Sequence, residues 1–470
     1  MHTTVRSAIG VALALVPPLV AGATSSDVAA LRKEIEALKQ AYESRIEALE
    51  QKLKTVEQEQ AAQAARAPAP STAPQASAAR TGQVTAGTAF NPQLSVILDG
   101  VFYSDNQGGN GAGMLGEAAG VFPGQGEGGL HQGFNLRETE IAFSATVDPY
   151  FDAAVNLSVG ADGDVALEEA YGQTRSLPAG LRVKAGKFLS DIGYVNSQHP
   201  HQWDFVDQNL PYLALFGPEG LTDTGAQVTW LPDWPLYTLF GVEASQNTNL
   251  ERLGVVADDT DRELYGLPRE VHGPQFYTGF VKVSPDLGAD HALQLGTWLA
   301  HFRQHQEVQN EGDTVRAFDG QAQAWGLDAV YKYSAGLGYG HGDWKVQAEY
   351  LRGTKDLDLA FSNTGEEGWL KGTQDGYYVQ GWYGFAPRWR AGLRYDTVGL
   401  TNRLTGIESV DLDPSDRWTV DVSWLLSEYS QLRVQFETAD LALAEGGDER
   451  VNAVYLQYVL SLGAHGAHKF

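Results

Sequence analysis

Cysteine is absent from all 470 residues, and methionine occurs only twice. No disulfide can staple this fold. The lack of thiols fits an oxidising compartment, the periplasm or beyond, as readily as it fits chance loss. Long apolar runs are missing too. After the N-terminus none approaches the ~20 residues a membrane-crossing helix needs, which argues against a helical membrane protein. Basic residues are in deficit, 33 against 59 acids, for a formal charge of −26. Phosphate binding needs a basic footprint, so nucleic acid is excluded as a natural partner. What the chain does contain is glycine, 53 residues of it, and 10% aromatics, at a slightly negative mean hydropathy. Soluble β proteins share this profile, and transmembrane barrels show it because half of each strand faces a wet lumen. Acidic loops holding divalent cations between lipopolysaccharide groups would explain the charge, and so would ordinary solubility.

Residues 1–23 read as a secretory signal. Arg6 starts it, residues 8–20 form a short apolar core, and Ala21, Gly22 and Ala23 are a small-residue cleavage site. Residues 24–60 carry a different pattern. Val28, Leu31, Ile35, Leu38, Tyr42, Ile46, Leu49, Leu53 and Val56 step by threes and fours, a heptad seam with one stutter at Tyr42 to Ile46. Ser25, Ser26 and Asp27 offer capping oxygens. An amphipathic helix lying on another surface would share the pattern. The uninterrupted seam favours an α-helical coiled coil, taken as a trimer, in a rod of about 45 Å at 1.5 Å per residue. The Ala/Pro-rich stretch 61–89 is a semi-stiff linker.

From residue 90 to 470, alternating segments recur between Gly, Pro, Asp and Asn. They fall near 92–104, 134–147, 151–159, 165–177, 181–192, 226–231, 236–244, 275–283, 292–305, 324–334, 344–354, 377–385, 389–398, 417–426, 432–440 and 451–462. Short turns at 148–150, 178–180, 232–235, 386–388 and 426–430 alternate with long polar loops at 105–132, 193–225, 246–273 and 355–376. Short periplasmic turns and long outer loops are the asymmetry of a membrane barrel, and an even strand number returns both ends to one side. The reading is an all-β fold, a transmembrane antiparallel β-barrel of about 16 strands.

Period two assigns faces. Trp325, Leu327, Ala329 and Tyr331 point to lipid, with Asp328 and Lys332 inside. Trp344, Val346 and Tyr350 oppose Lys345, Gln347 and Glu349; Trp389, Leu393 and Tyr395 oppose Arg390, Arg394 and Asp396; Val434 and Phe436 oppose Arg433, Gln435 and Glu437. Charge facing mid-membrane hydrocarbon costs roughly 2–4 kcal/mol for Arg or Lys, so this shared phase implies a polar lumen. A soluble sandwich would have to bury the aromatic face in one compact core. The segment 292–305 alternates poorly and takes no phase. Candidate pore-lining residues are Glu138, Glu140, Asp152 and Glu169 on an acidic early wall, with Arg182 and Lys184 as exceptions. Lys332, Lys345, Arg390, Arg394 and Arg433 form a basic later wall, offset by Asp328, Glu349, Asp421 and Glu437. Facing walls of opposite sign would orient dipolar solutes.

The last segment places Leu456, Tyr458, Leu460 and Leu462 on one face and ends in Phe470. It resembles the carboxyl-terminal signature of bacterial outer-membrane barrels, with His468 departing from the usual aromatic. The stretch Leu181-Arg-Val-Lys-Ala-Gly-Lys-Phe-Leu-Ser-Asp-Ile-Gly193, followed by a Pro/Gly-rich loop, resembles the phosphate-selective porins of the O and P type. That resemblance covers about thirty residues in motif and most of the chain in architecture. It implies a sixteen-stranded trimer in the outer membrane of a Gram-negative cell, with the coil in the periplasm and loop 194–224 folded inward as a constriction. The loop holds Asp204, Asp207, Glu219 and Asp223 but no Lys or Arg, so phosphate selectivity is not carried over. A weak cation preference is expected instead.

A porin-type channel for passive diffusion of small solutes or ions is the leading expectation. A structural anchor tethering the membrane to peptidoglycan through the coil is the alternative. A metal-linked uptake role is a further one, through His199, His201 and Asp204, whose imidazoles and carboxylate suit a divalent metal. Membrane lipid and lipopolysaccharide are the implied surroundings, and no cofactor is implied. Barrel enzymes need a Ser/His/Asn or acid constellation at the rim. The sequence localises none, so the chain reads as a non-enzyme.

Overall fold

The structure is a computed structural model, and it describes residues 93–118, 120–122, 130–246, 250–443 and 447–463. The signal, coil and linker expectations and the terminal Phe470 lie outside those residues. The described chain forms β1 (Gln93–Asp105), β2 (Gly133–Thr146), β3 (Phe151–Val159), β4 (Val165–Thr174), β5 (Leu181–Leu189) and β6 (Thr222–Trp230). It continues through β7 (Tyr237–Ser245), β8 (Phe276–Ser284), β9 (His291–Glu311), β10 (Thr314–Tyr333), β11 (Trp344–Ser362) and β12 (Trp369–Ala386). The last strands are β13 (Trp389–Gly406), β14 (Val410–Asp411), β15 (Ser415–Ser427), β16 (Ser430–Ala442) and β17 (Asp448–Gly463). Neighbours pair antiparallel, and β1 pairs with β17. The two-residue β14 is a ribbon on β13, which itself pairs with β15. The result is a closed barrel of sixteen strands. Closure leaves no unpaired edge, the condition for placing a sheet in hydrocarbon.

The outer face shows where the hydrocarbon begins and ends. On five neighbouring strands, two aromatic residues stand six positions apart: Trp325 and Tyr331, Trp344 and Tyr350, Tyr377 and Tyr383, Trp389 and Tyr395, Trp418 and Trp424. They meet across strands as two belts. Trp389 stacks on Trp424 at 5.4 Å and Tyr331 lies 5.0 Å from Trp344. In the other belt Tyr395 lies 4.7 Å from Trp418 and Trp325 lies 5.4 Å from Tyr350. Six residues at ~3.3 Å make about 20 Å, close to the roughly 25 Å apolar band of such barrels. Exposed Leu327, Val346, Leu393, Val420, Val422 and Val434 fill the space between.

Two expectations about the strands needed revision. The long loop expected at 355–376 is mostly strand, since β11 runs to Ser362 and β12 starts at Trp369. The ladder continues above the membrane, where outward positions carry Asp356 paired with Lys371 at 2.9 Å. Inside this extension Phe318, Leu357 and Leu370 form a small apolar cluster. The unphased segment is β9, and it is apolar on both faces. Leu295 and Leu299 point out, while Trp298, Ala300 and Phe302 point in and are buried by chain inside the barrel. Trp298 also lies flat over Gly326, where a Cβ would come within 2.6 Å of the indole.

Candidate functional site: the loop inside the barrel

Between β5 and β6 the chain turns into the lumen. Its sequence alternates apolar anchors with carboxylates, and the inner wall supplies partners for both. Ile192, Tyr194, Val195, Phe205, Val206, Leu210, Tyr212, Leu215, Phe216 and Leu221 are buried. Most of them join Trp298, Phe302, Tyr378 and the first loop's Val121 and Phe122 in one core. The apolar run 210–216 is a helix, Leu210–Phe216, capped by the Asn209 side chain on Tyr212 N at 3.1 Å and ended at Gly217. Asn196 ties the loop's neck, donating to the carbonyls of Ser190 at 2.8 Å and Leu221 at 2.9 Å and accepting from Leu221 N. At Gly193, with φ +56°, a Cβ would meet the Glu349 carboxylate at 2.3 Å, so the chain passes there only as glycine.

Charge pairs hold the loop to the later wall. Glu349 accepts from Tyr194 N at 3.1 Å, Val195 N at 3.0 Å, Tyr212 Oη at 2.9 Å and Tyr378 Oη at 2.5 Å. Asp204 takes Lys345 at 2.7 Å, Trp382 Nε1 at 3.1 Å and Gln380 at 3.2 Å. Asp207 takes Arg394 at 2.9 Å on both oxygens, Gln435 at 2.6 Å and Arg417. Arg417 also reaches Asp396 at 2.5 Å and Glu437 at 3.3 Å, and Arg433 donates to the Trp203 carbonyl at 3.0 Å. Burial works to raise the Asp204 carboxyl, but Lys345, Arg390 and Arg433 outweigh it and hold it at about 2. Thus the basic wall is not bare. Much of its charge is answered by the loop's own acids.

The early wall is built differently. A register shift between β1 and β2 places both Arg137 and Glu138 inward, and another between β3 and β4 does the same for Glu168 and Glu169. Such bulges break the period of two and let adjacent residues share a face. Arg137 turns to Asp99 and the Val206 carbonyl. The glutamates face the loop's histidines. His199 Nδ1 lies 3.2 Å from Glu168 and 3.6 Å from Glu140; its Nε2 lies 3.0 Å from Glu169; His201 Nδ1 lies 3.0 Å from Glu140. Burial lowers the His199 imidazole's proton affinity, yet Glu168, Glu169 and Glu140 together raise it well above the ordinary value.

The remaining sequence candidates spread along the wall. Asp152 is half-exposed and accepts from Thr146 Oγ1 at 2.8 Å; Arg182 is exposed. Lys184 pairs with Asp191 at 3.1 Å, and Lys332 lies over the Tyr194 ring at 5.8 Å. Arg390 lies over Trp382 at 5.3 Å. Asp328 is buried beside Glu349, and Asp421 lies 3.7 Å from Arg433. The structure brings His199 and His201 together but not with Asp204, which is held at Lys345. The sequence reading does not single out Asp99, Arg137, Glu168, Arg417 or Glu243, which accepts from Asp191 N at 3.0 Å and Gln227 at 2.8 Å. Arg417 shares the phase of Asp421 and was legible; Arg137 and Glu168 sit at bulges, where alternation misleads.

No family model matches the chain. A protein of Aquifex aeolicus (strain VF5) described as uncharacterized is 33% identical over 392 residues, covering 81% of this chain and 80% of its own. Among solved structures, the outer membrane channel DcaP of Acinetobacter baumannii is 12% identical at a TM-score of 0.47, covering 79% of this chain and 97% of its own. The anion-selective porin from Comamonas acidovorans is 11% identical at 0.44, with coverage of 79% and 99%. OmpT of Vibrio cholerae, in-vitro folded and in a trimer form, is 10% identical at 0.46, with the same coverage. At such identities the likeness concerns the fold alone. The non-enzyme expectation does not stand. A barrel fold excludes catalysis only weakly, and the bulges assemble an acid–histidine group that the sequence did not localise.

Proposed function

We propose, for a chain that belongs to the same family as the Aquifex aeolicus protein, a porin-type channel of the bacterial outer membrane. It would pass small hydrophilic solutes or ions by diffusion, with loop 194–224 as the constriction. One observation carries this reading: a closed barrel with an apolar, aromatic-belted exterior has a charged interior and holds an inward loop to its wall through Glu349, Asp396 and the Asp204 and Asp207 pairs. The desolvation cost of the interior charges is offset by the pairs between loop and wall, and a polar wall around an inward loop suits a narrowed water path better than a mere anchor. The signal over 1–23, the periplasmic coil 24–60 and the linker 61–89 complete the proposal, with a homotrimer supported by the heptad seam. The strand-and-loop resemblance to the phosphate-selective O and P type supports the constriction and not the solute, because the loop carries no Lys or Arg. Planar-bilayer recording on the purified protein tests the reading. Stepwise conductance with a weak cation preference supports it. Silence from an intact assembly overturns it in favour of the anchor.

A further inference from the structure

The geometry points to a binding site for a divalent transition-metal ion of the zinc class, formed by Glu138, Glu140 and Glu168 of the wall and His199 and His201 of the loop. Two trios, Glu138 with Glu140 and His201, and Glu140 with Glu168 and His199, each bring three ligand atoms within 4.8 Å of one another. Glu140 belongs to both. Donors 2.1 Å from a common ion lie roughly 3.0 Å apart at a right angle and about 3.4 Å apart at a tetrahedral one. The separations here are 3.0 Å for Glu140 to His201, 3.6 Å for Glu140 to His199 and 3.2 Å for Glu168 to His199. Glu138 Oε1, Glu140 Oε2, Glu168 Oε2 and His201 Nδ1 are closed to solvent, yet no aligned hydrogen-bond partner reaches any of them.

Glu138 and Glu140 are 7% and 2% exposed. A buried carboxylate oxygen without an aligned hydrogen bond is costly, and two trios that share Glu140 mark a place for a cation. The nearest guanidinium, Arg137, is committed to Asp99 and the Val206 carbonyl. His199 is also held as metal ligands are. Its Nε2 lies 3.0 Å from Glu169, and its Nδ1 faces Glu140 and Glu168, where a metal ion would take the place of a proton. A carboxylate behind an imidazole fixes the tautomer and raises ligand basicity. Mixed imidazole and carboxylate donors suit zinc, manganese, iron, cobalt or nickel better than calcium, which takes oxygen alone.

Bound there, the ion ties residues 199–201 to β2 and β4, opposite the charge pairs on β11 to β15. This consequence rests on the channel reading, whereas the binding itself does not. The test therefore reads binding. Full-length protein in detergent is stripped with chelator and dialysed against Zn2+, metal content is measured per chain, and Co2+ is titrated while following visible absorption. We expect the double variant His199→Gln, His201→Gln to hold one ion fewer per chain than wild type and to lose the Co2+ bands. Glu138→Gln, a milder change, is expected to weaken Zn2+ binding at least about 10-fold. Heat-dependent gel mobility reports that each barrel is folded. The same stoichiometry and affinity in wild type and Glu138→Gln, or no Zn2+ retained by wild type, overturns the site. A silent bilayer with Zn2+ bound would sink only the channel.

Discussion

Removing the Asp207 carboxylate tests how the loop is held. Asp207 is the one loop acid that two guanidiniums share: Arg394 meets both oxygens at 2.9 Å, and Arg417 and Gln435 complete the shell. Deleting one member of a buried ion pair costs about 3–5 kcal/mol, because the partner is left charged and unsatisfied. In Asp207→Ala, Arg417 keeps Asp396 and Glu437, whereas Arg394 keeps Thr419 Oγ1 at 3.3 Å, Asp396 at 3.7 Å and the residue 207 carbonyl at 2.8 Å. The carbonyl serves only while the loop stays docked. The lower end of the range, about 3 kcal/mol, therefore applies. At 1.4 kcal/mol per decade, the ratio of docked to undocked loop falls about 100-fold. The interior is also left one unit more positive, at Arg394 above all. Single-channel recording in a tenfold KCl gradient should show larger and noisier conductance levels, and a reversal potential moved toward anion preference. Wild-type conductance, noise and reversal potential from folded Asp207→Ala protein would refute the argument that this carboxylate docks the loop.

Other outcomes follow from the wall. Val422 lies on the outer face of β15 between Trp418 and Trp424, so Val422→Arg should cost roughly 2–4 kcal/mol of barrel stability. Urea titration of the protein folded into vesicles reads this, and an unchanged midpoint would mean that the belts do not bound the hydrocarbon. At Gly241 a Cβ would come within 2.0 Å of the Phe280 ring on the neighbouring strand. Gly241→Val should displace that ring at a cost of about 1–3 kcal/mol, seen as a lower temperature for the gel-mobility transition. Glu349→Ala removes the acceptor for three donors of the loop and for Tyr378 of β12, and proteases added to folded protein should then cleave near 194–195, where wild type resists.

The strands were legible in the sequence because their signal is local. Alternation such as Trp344, Val346, Tyr350 against Lys345, Gln347, Glu349 needs no knowledge of any distant residue, and a lipid outside with a polar inside enforces it. The burial of the run 210–216 was legible for a similar reason, since apolar residues in a loop must find cover. The partners were not. Period two says that Glu349 faces inward, but only closure of the barrel brings Tyr194, 155 positions away in sequence, onto its oxygen. The same limit placed Asp204 with the histidines by proximity in sequence, whereas folding gives it to Lys345 and gives the histidines the glutamates of β2 and β4. Those glutamates converge because bulges at Arg137 and Glu168 break the alternation that identified most of the strands. β9 escaped phasing for the converse reason: its inner face is covered by chain instead of water, so both faces could be apolar. Local periodicity decided which residues form the wall; the tertiary structure alone decided what fills it, since contacts across the lumen join residues that no local spacing relates.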